Sequence, residues 1–280
     1  PPTDVNPAGR SRVARLNLDG TLDSEFYPRA DGAVSSVIVQ SDGLIVISGA
    51  FSAVWGRGAT SVSRGFVARF NPDGSLDNGF APTLNAAVNA VVQQADGKLV
   101  IGGSFTRATP AGSTSAVVRN RLARLAADGS LDASFELDAG GRILASVTQS
   151  DGKIVVAGTF TSIAGLTRNY VARLNADGTV DPAYAPVLNG RVYALALQPD
   201  GKVIVGGAFT EIGGETRRHL ARLNSGGSID SEFYPHFDGQ VGTLVLQNDG
   251  KILVGDSGGI KRLNSDGRTD STFNPPYVDD

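Results

Sequence analysis

Apolar residues in this chain recur in short alternating or continuous runs and nowhere settle into a helical spacing. Val192, Ala194 and Ala196, like Val241, Thr243 and Val245, fall on every second position and predict half-buried strands, termed A. An Asp-Gly pair and a continuous β-branched run follow each time, as at Lys202 to Val205, closed by a glycine pair; this is strand B. A third segment, strand C, reads V-A-R-L-N at Val171 to Asn175, and a fourth, strand D, reads T-V-D-P-A-Y at Thr179 to Tyr184. Asp-Gly joins A to B at Asp42, Asp96, Asp151, Asp200 and Asp249. It joins C to D at Asp19, Asp73, Asp128, Asp177 and Asp266, with Gly226-Gly227 substituting once. The pair supplies the positive φ that tight hairpins require.

The strand-C arginine returns at Arg15, Arg69, Arg124, Arg173, Arg222 and Arg262, with gaps of 54, 55, 49, 49 and 40 residues. That period matches a propeller blade of roughly 50 residues and is too long for a leucine-rich repeat. Folding C onto D sets each arginine opposite an aspartate: Asp23, Asp77, Asp132, Asp181, Asp230 and Asp270. Phe51, Phe105, Phe160 and Phe209 end strand B, and Phe26, Phe80, Phe135, Phe233 and Phe273 sit in D, so aromatics recurring once per unit predict packing between blades. The expectation is an all-β propeller of four-stranded antiparallel blades over 1–280. It divides into a half-blade at 1–29 and full blades at 30–82, 83–137, 138–186, 187–235 and 236–280. Five full blades plus a half, or an incomplete six-bladed ring, both satisfy the count.

The 280 residues are 41% hydrophobic, enough for a substantial core, and carry a net charge of -3. No basic footprint points to nucleic acid, and no run of 18 apolar residues points to a membrane span. Cysteine and methionine are both absent, which removes disulfides and thiol chemistry and suits an oxidation-resistant extracellular or cell-surface setting. The start at Pro1-Pro2 without a recognisable leader reads as part of a longer polypeptide.

The motifs Q-x-D-G-K-(apolar)-G-G-x-F-T and A-R-L-N-x-D-G-S-(apolar)-D-x-x-F resemble the delta-60 repeat family over residues 13 to 274, with departures at Ala126, Gly226 and Asp256. The resemblance implies a bacterial surface or secreted β-propeller and brings no catalytic residues with it.

Candidate chemistry is sparse. The turn aspartates Asp19, Asp73, Asp128, Asp177 and Asp266 echo calcium loops, yet Ala126 and Gly226 interrupt the ligand pattern and no bidentate glutamate follows. Calcium therefore stands as the alternative to no cofactor. A glycosidase needs two flanking carboxylates. Among those outside the repeat positions, Glu25 and Glu232 are equivalents in two blades, and Asp279 and Asp280 are terminal. The two histidines, His219 and His236, lie outside any G-x-S-x-G context. The segments between B and C vary most, and loops on a rigid scaffold carry function. Trp55, Arg57, Arg64, Arg107, Arg168, Arg217 and Arg218 lie on them and suit an acidic protein or glycan partner. The reading is a non-catalytic interaction platform or spacer; a glycan-binding or glycan-cleaving propeller is the alternative.

Overall fold

The computed structural model describes residues 11–274, so Asp279, Asp280 and the first ten residues of the expected half-blade lie outside them. No helix occurs among the described residues, hence none long and apolar enough to cross a membrane. The chain divides into two compact units, Pro1–Glu136 and Leu137–Asp280.

In the first unit, strands A, B and C form antiparallel sheets from Ala33–Val39, Ile45–Ala50 and Val67–Phe70, then from Val88–Gln93, Leu99–Gly103 and Leu122–Leu125. In the second unit three such sheets follow: Ile143–Thr148, Ile154–Gly158 and Val171–Leu174; Val192–Leu197, Val203–Gly207 and Leu220–Leu223; Thr243–Leu246, Ile252–Asp256 and Gly259–Leu263. Strand B is central in all five and buried throughout in three of them, which is why it reads as an unbroken apolar run.

The glycine closing strand B has a steric cause. A Cβ on Gly49, Gly103, Gly158 or Gly207 would lie 2.0–2.1 Å from a carbonyl oxygen at the entry to strand A, at the place where the A–B register slips by one residue. The last repeat carries Asp256 at this position, keeps a regular ladder and turns directly into strand C.

The four-stranded blade requires correction. Strand D contributes one bridge to C in each repeat, such as Leu174 with Val180 or Phe70 with Leu76, and then leaves the sheet. The aspartate is the reason: Asp181 Oδ1 accepts the Ala183 N–H at 3.0 Å, and Asp77 Oδ1 accepts that of Gly79 at 2.9 Å. That local hydrogen bond closes a turn where a ladder would otherwise continue.

The variable B–C segments are themselves hairpins. In the first unit Ala53–Trp55 pairs with Val62–Ser63 and Arg29–Ala30, and Arg107–Thr109 pairs with Val117–Val118 and Thr83–Leu84. In the second unit the hairpins shorten to Ser162–Ile163 with Leu166–Thr167 and Glu211–Ile212 with Glu215–Thr216. Asp31, Asn85 and Asn189 anchor three of them, each side chain accepting two successive backbone N–H groups at 2.8–3.0 Å.

Within each unit the core lies between consecutive repeats. Val46 and Val67 pack with Val88, Ile101 and Ala123, and Val155 and Val171 pack with Val192, Val205 and Ala221. Val13 and Phe26 of the N-terminal half-repeat are buried with Ile47, Phe51 and Phe70, so this half-repeat belongs to the first unit's core.

Candidate functional site

The signature residues of the repeat converge on one another. All six arginines donate Nε–H to their aspartates at 2.7–3.0 Å. In four repeats the lysine of the A–B turn joins the same carboxylate, at 3.2 Å for Lys98 and Asp132 and at 2.8–2.9 Å for Lys153, Lys202 and Lys251. Leu44 replaces that lysine beside Asp77. The lysine hydrogen bond, reinforced by the Ala183 N–H and Arg173 against the opposing effect of burial, holds Asp181 down to about 2. Asp132 and Asp270 are also lowered, through the Ser134 and Thr272 hydroxyls first and then the cations. At Asp230 burial acts upward and is outweighed by Lys202 and Arg222.

The same arginines reach into the following repeat. Arg15 and Arg69 donate to the carbonyls of Pro72 and Ala127, and in the second unit Arg173 and Arg222 donate to those of Ser225 and Ser265. Each guanidinium lies 4.3–4.9 Å from the centroid of its own strand-D ring, from Phe26 to Phe273. Those rings press on the next C–D turn. A Cβ on Gly227 would meet Tyr184 at 2.8 Å, and one on Gly267 would meet Phe233 at 2.9 Å, both at positive φ. The turn glycine is thus demanded by backbone conformation and by its neighbour together.

The turn aspartates are engaged locally. Oδ1 of Asp19, Asp73, Asp128, Asp177 and Asp266 accepts the N–H two residues on at 2.8–2.9 Å. Among the described residues no three His, Cys, Asp or Glu side chains are grouped to hold a metal ion.

The residues on the B–C segments separate into two sets. Arg64, Arg168 and Arg217 occupy a single repeat position, two residues before a non-glycine residue at positive φ: Phe66, Tyr170 and His219. Each donates to the carbonyl of its own preceding residue at 2.8–3.0 Å and buries an Nε without a protein acceptor. Arg119, ahead of Arg121, completes the set and is not among the sequence candidates. Counting back from strand C, where the spacing is constant, reveals it; counting forward from strand B, where lengths differ, does not. Arg217 also pairs with Glu215 at 3.0 Å and stacks 4.3 Å over Tyr234.

The second set varies. Trp55 is half-buried opposite Arg29, whose guanidinium lies 5.4 Å from its ring. Arg57 pairs with Glu25, while Arg107 and Arg218 are exposed. The second unit holds a cavity of about 450 Å3 lined by Glu232, Tyr234, Pro235, His236, Asp266 and Gly267, with Arg268 and Thr269 beside them. In the sequence Glu232 is the equivalent of Glu25, and His236 stands with His219 as one of two histidines; the cavity brings Glu232 and His236 together with Tyr234.

Comparison with known proteins accords with this architecture. A family model described as a domain of unknown function (DUF5122) beta-propeller matches residues 2–26, 40–80, 94–135, 149–184, 198–233 and 247–273. No curated protein matches the chain in sequence. Among solved structures, streptogramin B lyase is similar at a TM-score of 0.59 and 17% identity over 92% of this chain and 74% of that one. Virginiamycin B lyase from Staphylococcus aureus gives 0.54 and 16% over 91% and 74%. A protein of unknown function from Bacteroides caccae gives 0.51 and 15% over 93% and 89%. At these identities the likeness is one of fold.

Proposed function

The chain belongs to the DUF5122 β-propeller family, and from that premise we propose that it is a non-catalytic binding module of a bacterial surface or secreted protein. Its blade is the three-stranded sheet with the bridged D segment, five full blades and an N-terminal half in number. What carries the reading is the distribution of polar groups. The recurring arginines, aspartates and lysines are spent on one another, while the residues that differ between repeats lie on hairpins and on the segments pairing with them. A rigid frame presenting unlike edges suits a protein or glycan partner. The absence of cysteine and methionine suits the extracellular setting.

A glycan-cleaving role is the second reading, favoured by the one cavity that combines Glu232, Asp266 and His236. Chromogenic glycosides decide between the two. Turnover that disappears in Glu232→Gln establishes a hydrolase. Without turnover, binding to a panel of glycans and extended peptides that is lost when residues 53–63 are replaced by the short hairpin of residues 162–167 supports the binding module.

A further inference from the structure

The stretch Asp-Ser-Glu-Phe-Tyr-Pro occurs twice, at 23–28 and at 230–235, each time ahead of an Asp-Gly turn in the following repeat, Asp73-Gly74 and Asp266-Gly267. In the first unit the space between stretch and turn is filled from within. The hairpin segment Trp55-Gly56-Arg57 lies across it. Arg57 pairs with Glu25, lies 5.9 Å from the Tyr27 ring centroid, is favoured in its charged form by Tyr27, Glu25 and Asp73, and donates its backbone N–H to Gly74 O at 2.8 Å. Gly56 passes so close to the wall that a Cβ there would stand 2.5 Å from the Leu76 nitrogen.

In the second unit the last repeat has no such hairpin, because strand B turns tightly through Asp256 and Gly259 into strand C. The equivalent space is the cavity of about 450 Å3. Every group that holds Arg57 has its counterpart there: Glu232 for Glu25, Tyr234 for Tyr27, Asp266 for Asp73, Gly267 for Gly74 and Thr269 for Leu76. Tyr234 is 48% exposed where Tyr27 is half-buried. No cation pairs with Glu232 among the described residues. Arg268 reaches only the outer oxygen of Asp266, at 3.4 Å, and is itself 87% exposed. Arg217, stacked on the Tyr234 ring, is already neutralised by Glu215.

We propose that this cavity receives a Gly-Arg segment of a partner polypeptide, with the guanidinium between Glu232 and Tyr234 and the arginine N–H on the Gly267 carbonyl. The inference rests on the binding-module reading above. Two acceptors set apart, a carboxylate and a phenol oxygen, suit a planar guanidinium better than a compact ammonium. The close wall at Thr269 requires glycine before the arginine, as Leu76 requires Gly56.

The test is calorimetric titration of the whole protein with acetyl-Trp-Gly-Arg-amide, alongside the same peptide carrying lysine for arginine or alanine for glycine. The Gly-Arg peptide is expected to bind, with each altered peptide, Glu232→Gln and Tyr234→Phe weakening it about tenfold. Glu25→Gln, at the filled site, leaves the affinity unchanged. Glu232 is exposed, so its variant retains the wild-type melting temperature. Equal binding of the lysine peptide, indifference to Glu232→Gln, or no binding at millimolar peptide overturns the proposal. If the peptide fails while the panel still finds a ligand lost with the hairpin of residues 53–63, the binding-module reading survives and this site does not.

Discussion

At the scale of single residues, the aspartate that ends each C–D bridge serves two purposes: one oxygen closes a turn and the other takes an arginine and, in four repeats, a lysine. Asp181 is buried among these partners, and Asp181→Asn leaves Arg173 buried without its anion. A loss of about 3–5 kcal/mol follows for breaking a buried pair, measurable by urea unfolding. The pH dependence has a definite sign. Asp181 is held at about 2 against an ordinary 3.8, so its contribution is complete above pH 4 and disappears as pH falls from there towards 2. The urea midpoint should fall across that window, and less steeply in Asp181→Asn. Gly227→Ala combines a positive φ with a ring 2.8 Å from the new Cβ and should cost about 1–3 kcal/mol.

At the scale of elements, the repeats differ in ways that the same contacts turn into expectations. The first full repeat has Leu44 where four others have a lysine bound to the aspartate. Leu44→Lys should place an ammonium beside Asp77 and raise stability by about 0.2–1 kcal/mol, an effect that high salt removes. The Asp-Gly turns carry their own internal hydrogen bonds, so chelator is expected to leave the melting temperature unchanged. A drop would assign calcium to Asp19, Asp73, Asp128, Asp177 and Asp266. The B–C hairpins are legible only in part. Their turn residues, such as Gly213-Gly214, announce a reversal, but the partner strand at residues 29–30 or 83–84 precedes strand A and its pairing is tertiary.

For the molecule as a whole, the half-repeat before Arg29 is integral to the first unit. Phe26 is 2% exposed, is stacked by Arg15 and rests against Gly74. Phe26→Ala should therefore destabilise as a core truncation, by about 3–5 kcal/mol, and by a similar amount to Phe233→Ala in the second unit. A loss below about 1 kcal/mol would make the half-repeat an appendage.

The amino-acid sequence alone determined the β class, the period, the Asp-Gly turns and the pairing of Arg15 with Asp23 and its equivalents. The turns and the arginine–aspartate pairs depend on residues at most about ten positions apart, where spacing and turn chemistry fix geometry directly, and the period is their recurrence along the chain. The tertiary structure decided the rest. The arginines' second bonds go to carbonyls 43 to 58 residues away, and the turn glycines answer to rings in the preceding repeat. Arg64, Arg119, Arg168 and Arg217 proved to be one position because unequal hairpin lengths concealed their alignment. The cavity at Glu232 exists because the last repeat lacks a hairpin that fills the same space beside Glu25. A missing element leaves no residue in the sequence to mark it, and only packing one repeat against the next reveals the space.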